Sequence, residues 1–262
     1  MEPLYVIKIG GNVIDDEQAL FAFLEHFAAI KEKKILVHGG GRVATEMAEK
    51  LGIPQQMTGG RRVTDAETLR VVTMVYAGLI NKSVVARLQA LGCNAIGLSG
   101  ADGNAISAHQ RVSGTIDFGF AGDIDQVNTA FFRGLFDQHL TPVIAPITHD
   151  GNGQLLNTNA DTVAQETAKA MSGYYDTVLV YSFEKAGVLL DINDPSSIVS
   201  ELDHGRYNEL RGSGAIFAGM IPKLDNAFSA LDAGVRRVII GSADNLAALV
   251  SGATGTTITN ER

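Results

Sequence analysis

The chain contains no tryptophan, a single cysteine, six prolines and only 6% aromatic residues across 262 positions. One cysteine, Cys93, cannot close an internal disulfide, so a disulfide scaffold is excluded and nothing points to an oxidising compartment. With 45% hydrophobic residues and so little proline, the disordered and collagen-like classes are excluded as well. Positive charge is in deficit: 21 Lys and Arg against 29 Asp and Glu give a formal net charge of −8. Such a chain has no general attraction for nucleic acid or for an anionic membrane. No uninterrupted apolar run reaches the roughly 18 residues that a membrane helix requires. Met1-Glu2-Pro3-Leu4 lacks the basic and apolar regions of a secretory signal. The expectation is a cytoplasmic protein without membrane or nucleic-acid partners, long enough to form one large domain or two modest lobes.

What the sequence has in quantity is glycine, 29 residues. Short β-branched runs at Leu4–Ile9, Lys34–His38, Asn94–Leu98, Pro142–Ile147, Thr177–Phe183, Arg237–Gly241 and Thr256–Thr259 predict strands. Helix-length segments lie between most of them. In Asp16–Lys31, Leu20, Phe23, Leu24, Phe27 and Ile30 share one face of a 3.6-residue period. Thr64 and Glu67 form a capping box that predicts a long helix to about Leu91. Helices are also expected at Ile124–Leu140, Asn159–Met171, Ile221–Ala233 and Ala243–Val250. Strand and helix in alternation mean an α/β fold around a largely parallel sheet. Gly173 is the expected boundary between an N-terminal lobe, 1–173, and a C-terminal lobe, 174–262. The Gly-rich stretches at 100–122 and 150–156 read as hairpin excursions.

Two glycine clusters end predicted strands and precede helices: Lys8-Ile9-Gly10-Gly11-Asn12 and His38-Gly39-Gly40-Gly41-Arg42. Ligands bind at that edge of an open α/β sheet. Glycine there lets backbone N–H groups approach a phosphate beside a helix N-terminus; two tight turns without a ligand are the plainer alternative. Neither a G-x-x-x-x-G-K-[ST] nor a G-x-G-x-x-G motif is present, which argues against Walker-type NTPases and nicotinamide dehydrogenases. The esterase-like His38-Gly39-Gly40-Gly41 has no G-x-S-x-G elbow to match it.

Leu156-Asn157-Thr158-Asn159-Ala160-Asp161 puts two amides and a carboxylate at a helix mouth. Asn159 suits the N-cap and Asp161 the first turn, which leaves Asn157 for another role. In Gly219-Met220-Ile221-Pro222-Lys223 a cation stands at a helix start, where it faces either an anion or solvent. Arg61-Arg62-Val63-Thr64 offers two guanidiniums that suit carboxylates or lie in a solvated loop. Cys93 reads as a small core residue. Asn81-Lys82-Ser83 matches a glycosylation sequon that has no meaning without a secretory signal.

Together with Val127-Asn128, these segments occur in the order found in the amino acid kinase family, which the chain resembles over nearly its whole length. The resemblance implies a three-layer αβα sandwich, an N-terminal lobe for an acylated amino acid and for dimerisation, and a C-terminal lobe for ATP with Mg2+. It implies transfer of the ATP γ-phosphoryl to the side-chain carboxylate of N-acetyl-L-glutamate in arginine biosynthesis. N-succinyl-L-glutamate or another acylated amino acid is the alternative substrate, and a non-catalytic sensor the alternative class. Lys8 and Lys223 are expected on the transferring phosphoryl, oriented by Asp161. The glycines Gly10, Gly11, Gly187 and Gly219 are expected on nucleotide and phosphate, and Gly40, Gly41, Arg62 and Asn157 on the acylated amino acid, with no protein-held metal. Ser182-Phe183-Glu184-Lys185-Ala186-Gly187 departs from the family's Ser/Thr-Asp-Val-x-Gly pattern, lacking its aspartate. Arg61 is an extra cation that could read a succinyl carboxylate or face solvent. The chain begins almost at its first strand, without the N-terminal helix of hexameric, arginine-inhibited members, so an arginine-insensitive homodimer is expected.

Overall fold

The computed structural model describes residues 1–260 apart from 115, 184, 192, 195 and 217–219. The fold is α/β with a large, mostly parallel sheet, as the alternation of elements predicts. The chain divides into two compact units, one made of residues 1–34 and 164–262, the other of 35–163. This differs from the boundary expected near Gly173. The reason is pairing: the first strand lies along the whole length of a C-terminal strand, from Pro3 opposite Asp176 to Ile9 opposite Ser182.

The first unit opens with β1 (Pro3–Ile9), α1 (Gly11–Asp15) and α2 (Glu17–Ala29). The Asp16 carboxylate caps α2, accepting from the amides of Gln18 and Ala19 at 2.9 Å. Leu20, Phe23, Leu24 and Phe27 form the buried stripe that the periodicity predicts. Ile30 already has extended backbone angles, so the helix stops short of the expected Lys31.

The second unit contains β2 (Lys33–His38), α3 (Gly41–Lys50), the hairpin of β3 (Gln56–Thr58) and β4 (Arg61–Val63), then α4 (Ala66–Val72) and α5 (Asn81–Ala90) joined by a π-helical stretch, Thr73–Ile80. Next come β5 (Ala95–Leu98), β6 (Ile106–Gln110), β7 (Gly122–Val127), α6 (Thr129–Asp137), β8 (Thr141–Ile144), β9 (Ile147–His149) and β10 (Leu155–Asn157). β2, β8 and β5 are parallel neighbours. β6 and β7 are antiparallel, as are β9 and β10, which makes hairpins of the Gly-rich excursions. The expected helix Ile124–Leu140 is corrected here. Residues up to Val127 are taken into the β7 ladder, and the Asn128 side chain, accepting from the Phe131 amide at 3.1 Å, starts α6 only afterwards. The capping box at Thr64 is corrected too: Asp65 caps α4 by accepting from the Thr68 amide at 2.7 Å, and Thr64 is buried. The continuous helix 66–90 is long and apolar enough to cross a membrane by length and composition. Val71, Val72, Val75, Val84 and Leu88 on it are buried in the protein.

From α7 (Ala160–Met171) the chain re-enters the first unit with β11 (Asp176–Phe183), β12 (Glu201–Leu202), α8 (His204–Gly212), α9 (Ile221–Asp232), β13 (Arg237–Ser242), α10 (Leu246–Ser251) and β14 (Thr256–Ile258). β1 pairs in parallel with β11 along its whole length, from Pro3 opposite Asp176 to Ile9 opposite Ser182. β11 pairs in parallel with β13, and β14 runs antiparallel beside β13. Leu4, Val6, Ile7, Leu179 and Val180 are fully buried, the mark of strands covered on both faces.

The turn after β2 is fixed from beneath by His38, which is fully buried. Its Nδ1–H donates to Gly39 O at 2.9 Å, and its Nε2 accepts from Asn81 Nδ2 at 3.1 Å. Asn81 Nδ2 also donates to Val143 O at 3.0 Å, which ties α5 to the strand below. Burial lowers the His38 pKa from 6.5 to about 4, opposed by its bond to Gly39 O. The ring is therefore neutral at neutral pH, which suits both bonds.

Two outcomes follow from these contacts. Phe27 is fully buried on the α2 stripe, so Phe27→Ala should lower unfolding free energy by about 3–5 kcal/mol in urea titrations. For His38, the unfolded chain takes up a proton near 6.5 while the folded one resists until about 4. Stability is therefore complete above 6.5 and falls as pH drops toward 4. The urea midpoint should decline across that window, and His38→Gln should flatten the decline.

Candidate active site

A cleft of about 180 Å³ opens in the unit 35–163 at the end of β2. Gly39, Gly40, Gly41, Arg62, Asn157 and Asn159 line it, so four expected substrate residues, Gly40, Gly41, Arg62 and Asn157, share one surface. Gly40 has φ of +135°, and a Cβ there would lie 2.1 Å from Ile80 Cδ1. The backbone angle demands glycine, and the end of the Ile80 side chain would have to shift for any Cβ. Gly40 is the N-cap of α3 and carries no capping side chain. The first amides of α3 therefore have no intrahelical acceptor, which favours an anion at the cleft.

Arg62 leaves β4 into the unit and is buried. Its Nη2 donates to Gly41 O at 2.8 Å and to Thr45 Oγ1 at 2.9 Å. Its Nη1 donates to Gln55 Oε1, and the guanidinium also donates to the Tyr76 hydroxyl. Burial raises the Tyr76 pKa while Arg62 beside it works in the opposite direction. The guanidinium is thus locked in one orientation before any ligand arrives. Asn157 Nδ2 donates to Thr64 Oγ1 at 3.0 Å, and Thr64 Oγ1 donates to Arg62 O at 3.0 Å. One chain of bonds therefore runs from the end of β10 to β4. Asn159 caps α7, its Oδ1 accepting from the amides of Asp161 at 2.8 Å and Thr162 at 3.1 Å. Asp161 stands in the first turn of α7, as expected.

In the unit of residues 1–34 and 164–262, Tyr181 neighbours Lys8 by backbone register and Lys223 by its ring. Lys8 is the register partner of Tyr181 across β1 and β11. The Lys223 ammonium lies 5.8 Å from the centroid of the Tyr181 ring and 5.9 Å from that of Phe183. Lys223 sits in the first turn of α9 just after Pro222. Gly11 opens α1, and a Cβ there would meet nothing within 4 Å. The Gly10 amide is already bonded to Ser182 O at 2.8 Å, and a Cβ there would approach that carbonyl at 3.1 Å. The expected cradling of phosphate by the Gly10 amide is therefore replaced by a strand-to-turn contact. Gly187 packs close to β14, where a Cβ would meet Thr256 Oγ1 at 2.8 Å. That packing alone accounts for glycine at this position. Gly219 lies outside the described residues.

Sequence reading missed Thr45, Gln55 and Tyr76, which hold Arg62, and Tyr181 and Phe183, which flank Lys223. Thr45 and Gln55 carry no motif signal. Tyr76 sits on the π-helical stretch, a feature often found at functional sites. The aromatic pair was legible only as a strand.

The amino acid kinase family model matches residues 3–242. A protein named acetylglutamate kinase from Cytophaga hutchinsonii is 55% identical over 252 residues, 96% of each chain. One of the same name from Phocaeicola vulgatus is 52% identical over 98% of each chain. Among solved structures, smu.665 from Streptococcus mutans UA159 superposes with a TM-score of 0.79 at 26% identity, covering 98% of each chain. The glycine turns and the locked arginine thus sit in a chain whose relatives match it over nearly its whole length, and the chain belongs to the amino acid kinase family.

Proposed function

We propose that this chain transfers the γ-phosphoryl group of ATP to the side-chain carboxylate of an N-acylated L-glutamate, N-acetyl-L-glutamate in the name its relatives carry, as a step of arginine biosynthesis. The observation that carries the reading is the convergence of Arg62, Asn157 and the 39–41 turn on one cleft. The α-carboxylate of the substrate is assigned to the Arg62 guanidinium, and its amide to Asn157.

The nucleophile has a pKa of about 4.3, so it is ionised at neutral pH and needs no general base. A carboxylate oxygen bonds to the γ-phosphorus, the bond from phosphorus to the β–γ bridging oxygen breaks, and ADP leaves with that electron pair. No proton moves. The difficulty is electrostatic, since an anion must approach an anion, and the remedy is positioning and positive charge. Lys8 and Lys223 are the cations assigned to the transferring phosphoryl, Asp161 orients them, and the Gly11 and Gly41 amides are assigned to phosphoryl oxygens. Mg2+ is assigned to the nucleotide phosphates, the usual way this ion enters phosphoryl transfer. Placement in the cytoplasm belongs to the same proposal.

We further assign the solvent-facing side of helix 66–90, with Met74 57% and Leu79 53% exposed, to a homodimer contact. Light scattering should give twice the chain mass; a monomer at micromolar concentration overturns this assignment.

A hydroxamate assay with ATP, Mg2+ and N-acetyl-L-glutamate should trap an acyl phosphate. Lys8→Ala and Lys223→Ala should each lower kcat by about 10²–10³, with circular dichroism unchanged. Near wild-type turnover in Lys8→Ala would overturn its assignment.

A further inference from the structure

With Lys223 assigned to the transferring phosphoryl, the direction in which α9 begins decides where its ammonium points. That beginning is weakly held from within. The N-cap residue Met220 makes no side-chain capping bond, and Pro222 brings no amide hydrogen to the first turn. Two helix positions separate Lys223 from Asp225, a rotation of about 200°. The Lys223 ammonium lies over the Tyr181 and Phe183 rings of β11. The Asp225 carboxylate faces the other way, onto α8, where Tyr207 meets it.

The two helices are joined along one face of each. The Tyr207 hydroxyl donates to Asp225 Oδ1 at 2.6 Å. The Tyr207 ring stacks on Phe228 with centroids 5.0 Å apart, and both residues are buried. The His204 ring lies 4.2 Å from that of Phe228, and its Nε2 is 3.4 Å from Asp232 Oδ1. His204, Tyr207 and Arg211 on α8 thus face Asp232, Phe228 and Asp225 on α9. Each set is spaced i, i+3, i+7, the spacing of a single helix face.

The contact nearest to Lys223 is the one that ends on Asp225, and it has two donors of unequal worth. Arg211 Nη1 reaches Asp225 Oδ1 at 3.2 Å, but the two side chains are 51% and 49% exposed, and such surface pairs contribute little. The Tyr207 hydroxyl is closer and comes from a buried ring, and a carboxylate acceptor strengthens its bond. Burial, and after it the bond to Asp225, push the Tyr207 pKa up to about 12. The hydroxyl therefore keeps its proton and stays the donor.

We propose that Tyr207 and Asp225 are positioning residues for the phosphoryl transfer: their bond, made behind the first turn of α9, sets the direction of that turn and with it the place of the Lys223 ammonium. Both act through Lys223 and not on the reacting atoms. A contact that served folding alone would change how much protein is folded and leave the turnover of folded protein as it was. A positioning contact lowers kcat at constant KM, because a displaced ammonium loses more in the transition state than in the ground state. The proposal rests on the kinase reading and its assignment of Lys223, and adds what aims that lysine.

The test is a double-mutant cycle read by hydroxamate formation, with rates taken per folded protein. Tyr207→Phe keeps the ring on Phe228 and removes the hydroxyl. It should lower kcat about tenfold, with KM for ATP and for the acylated glutamate within about twofold of wild type. Asp225→Asn keeps an acceptor for the hydroxyl and should retain most of the rate, whereas Asp225→Ala should fall as Tyr207→Phe does. In a Lys223→Ala background, Tyr207→Phe and Asp225→Ala should cost nothing further, since no ammonium is left to aim. An unchanged kcat in Tyr207→Phe overturns the proposal, and so does an equal loss with and without Lys223; should Tyr207→Phe fail to fold, the Asp225→Ala cycle decides by the same criteria. In either case the kinase reading stands on wild-type turnover. A Lys223→Ala chain as fast as wild type overturns the assignment of Lys223 and this proposal with it.

Discussion

The close approach of the long helix to Gly40 is the constraint on which the cleft at residues 39–41 depends. Ile80 and Tyr76, one helical turn apart, lie against a backbone position where any Cβ would collide. That contact lets β2 turn directly into α3 and presents Gly41 O to Arg62. The same helix supplies Asn81 to His38 beneath the turn and Tyr76 to Arg62 beside it. The π-helical stretch over Thr73–Ile80 carries two of these three residues. A side chain at position 40 would strain the turn at φ +135° and displace the end of Ile80 beside it.

Charge is arranged on the same principle of prior commitment. The chain carries a net −8, yet Arg62 and Lys223 are each held by their surroundings. Arg62 is fixed by four acceptors, and Lys223 sits over two aromatic faces, which favour an ammonium without neutralising it. Groups oriented in advance need little reorganisation when charge develops. His38 shows the converse, a titratable ring kept neutral because its role is to hold backbone, not to carry charge.

Much of this was legible in the sequence where a local rule suffices. The α2 stripe is a periodicity, the Asn159 cap is a side-chain preference, and glycine pairs at strand ends announce turns. The reading failed where a local signal met a tertiary competitor. Ile124–Leu140 has helical character, but the β6 ladder took its first residues. Thr64 looked like a cap, but burial and its bonds to Arg62 and Asn157 gave that place to Asp65. The Gly10 amide looked available for phosphate, but Ser182 on the neighbouring strand accepts it.

The sequence by itself determined the α/β class, the positions of the two glycine turns and the residue types that could face an anion, because these follow from period, turn chemistry and charge along a few consecutive residues. Only the tertiary structure decided that residues 1–34 fold with the C-terminal part, that Gly40 faces Ile80, and that Arg61 meets Arg111 while Arg62 meets Tyr76. Those pairings join segments up to 170 or so positions apart, set by strand order and packing, and no local propensity encodes them.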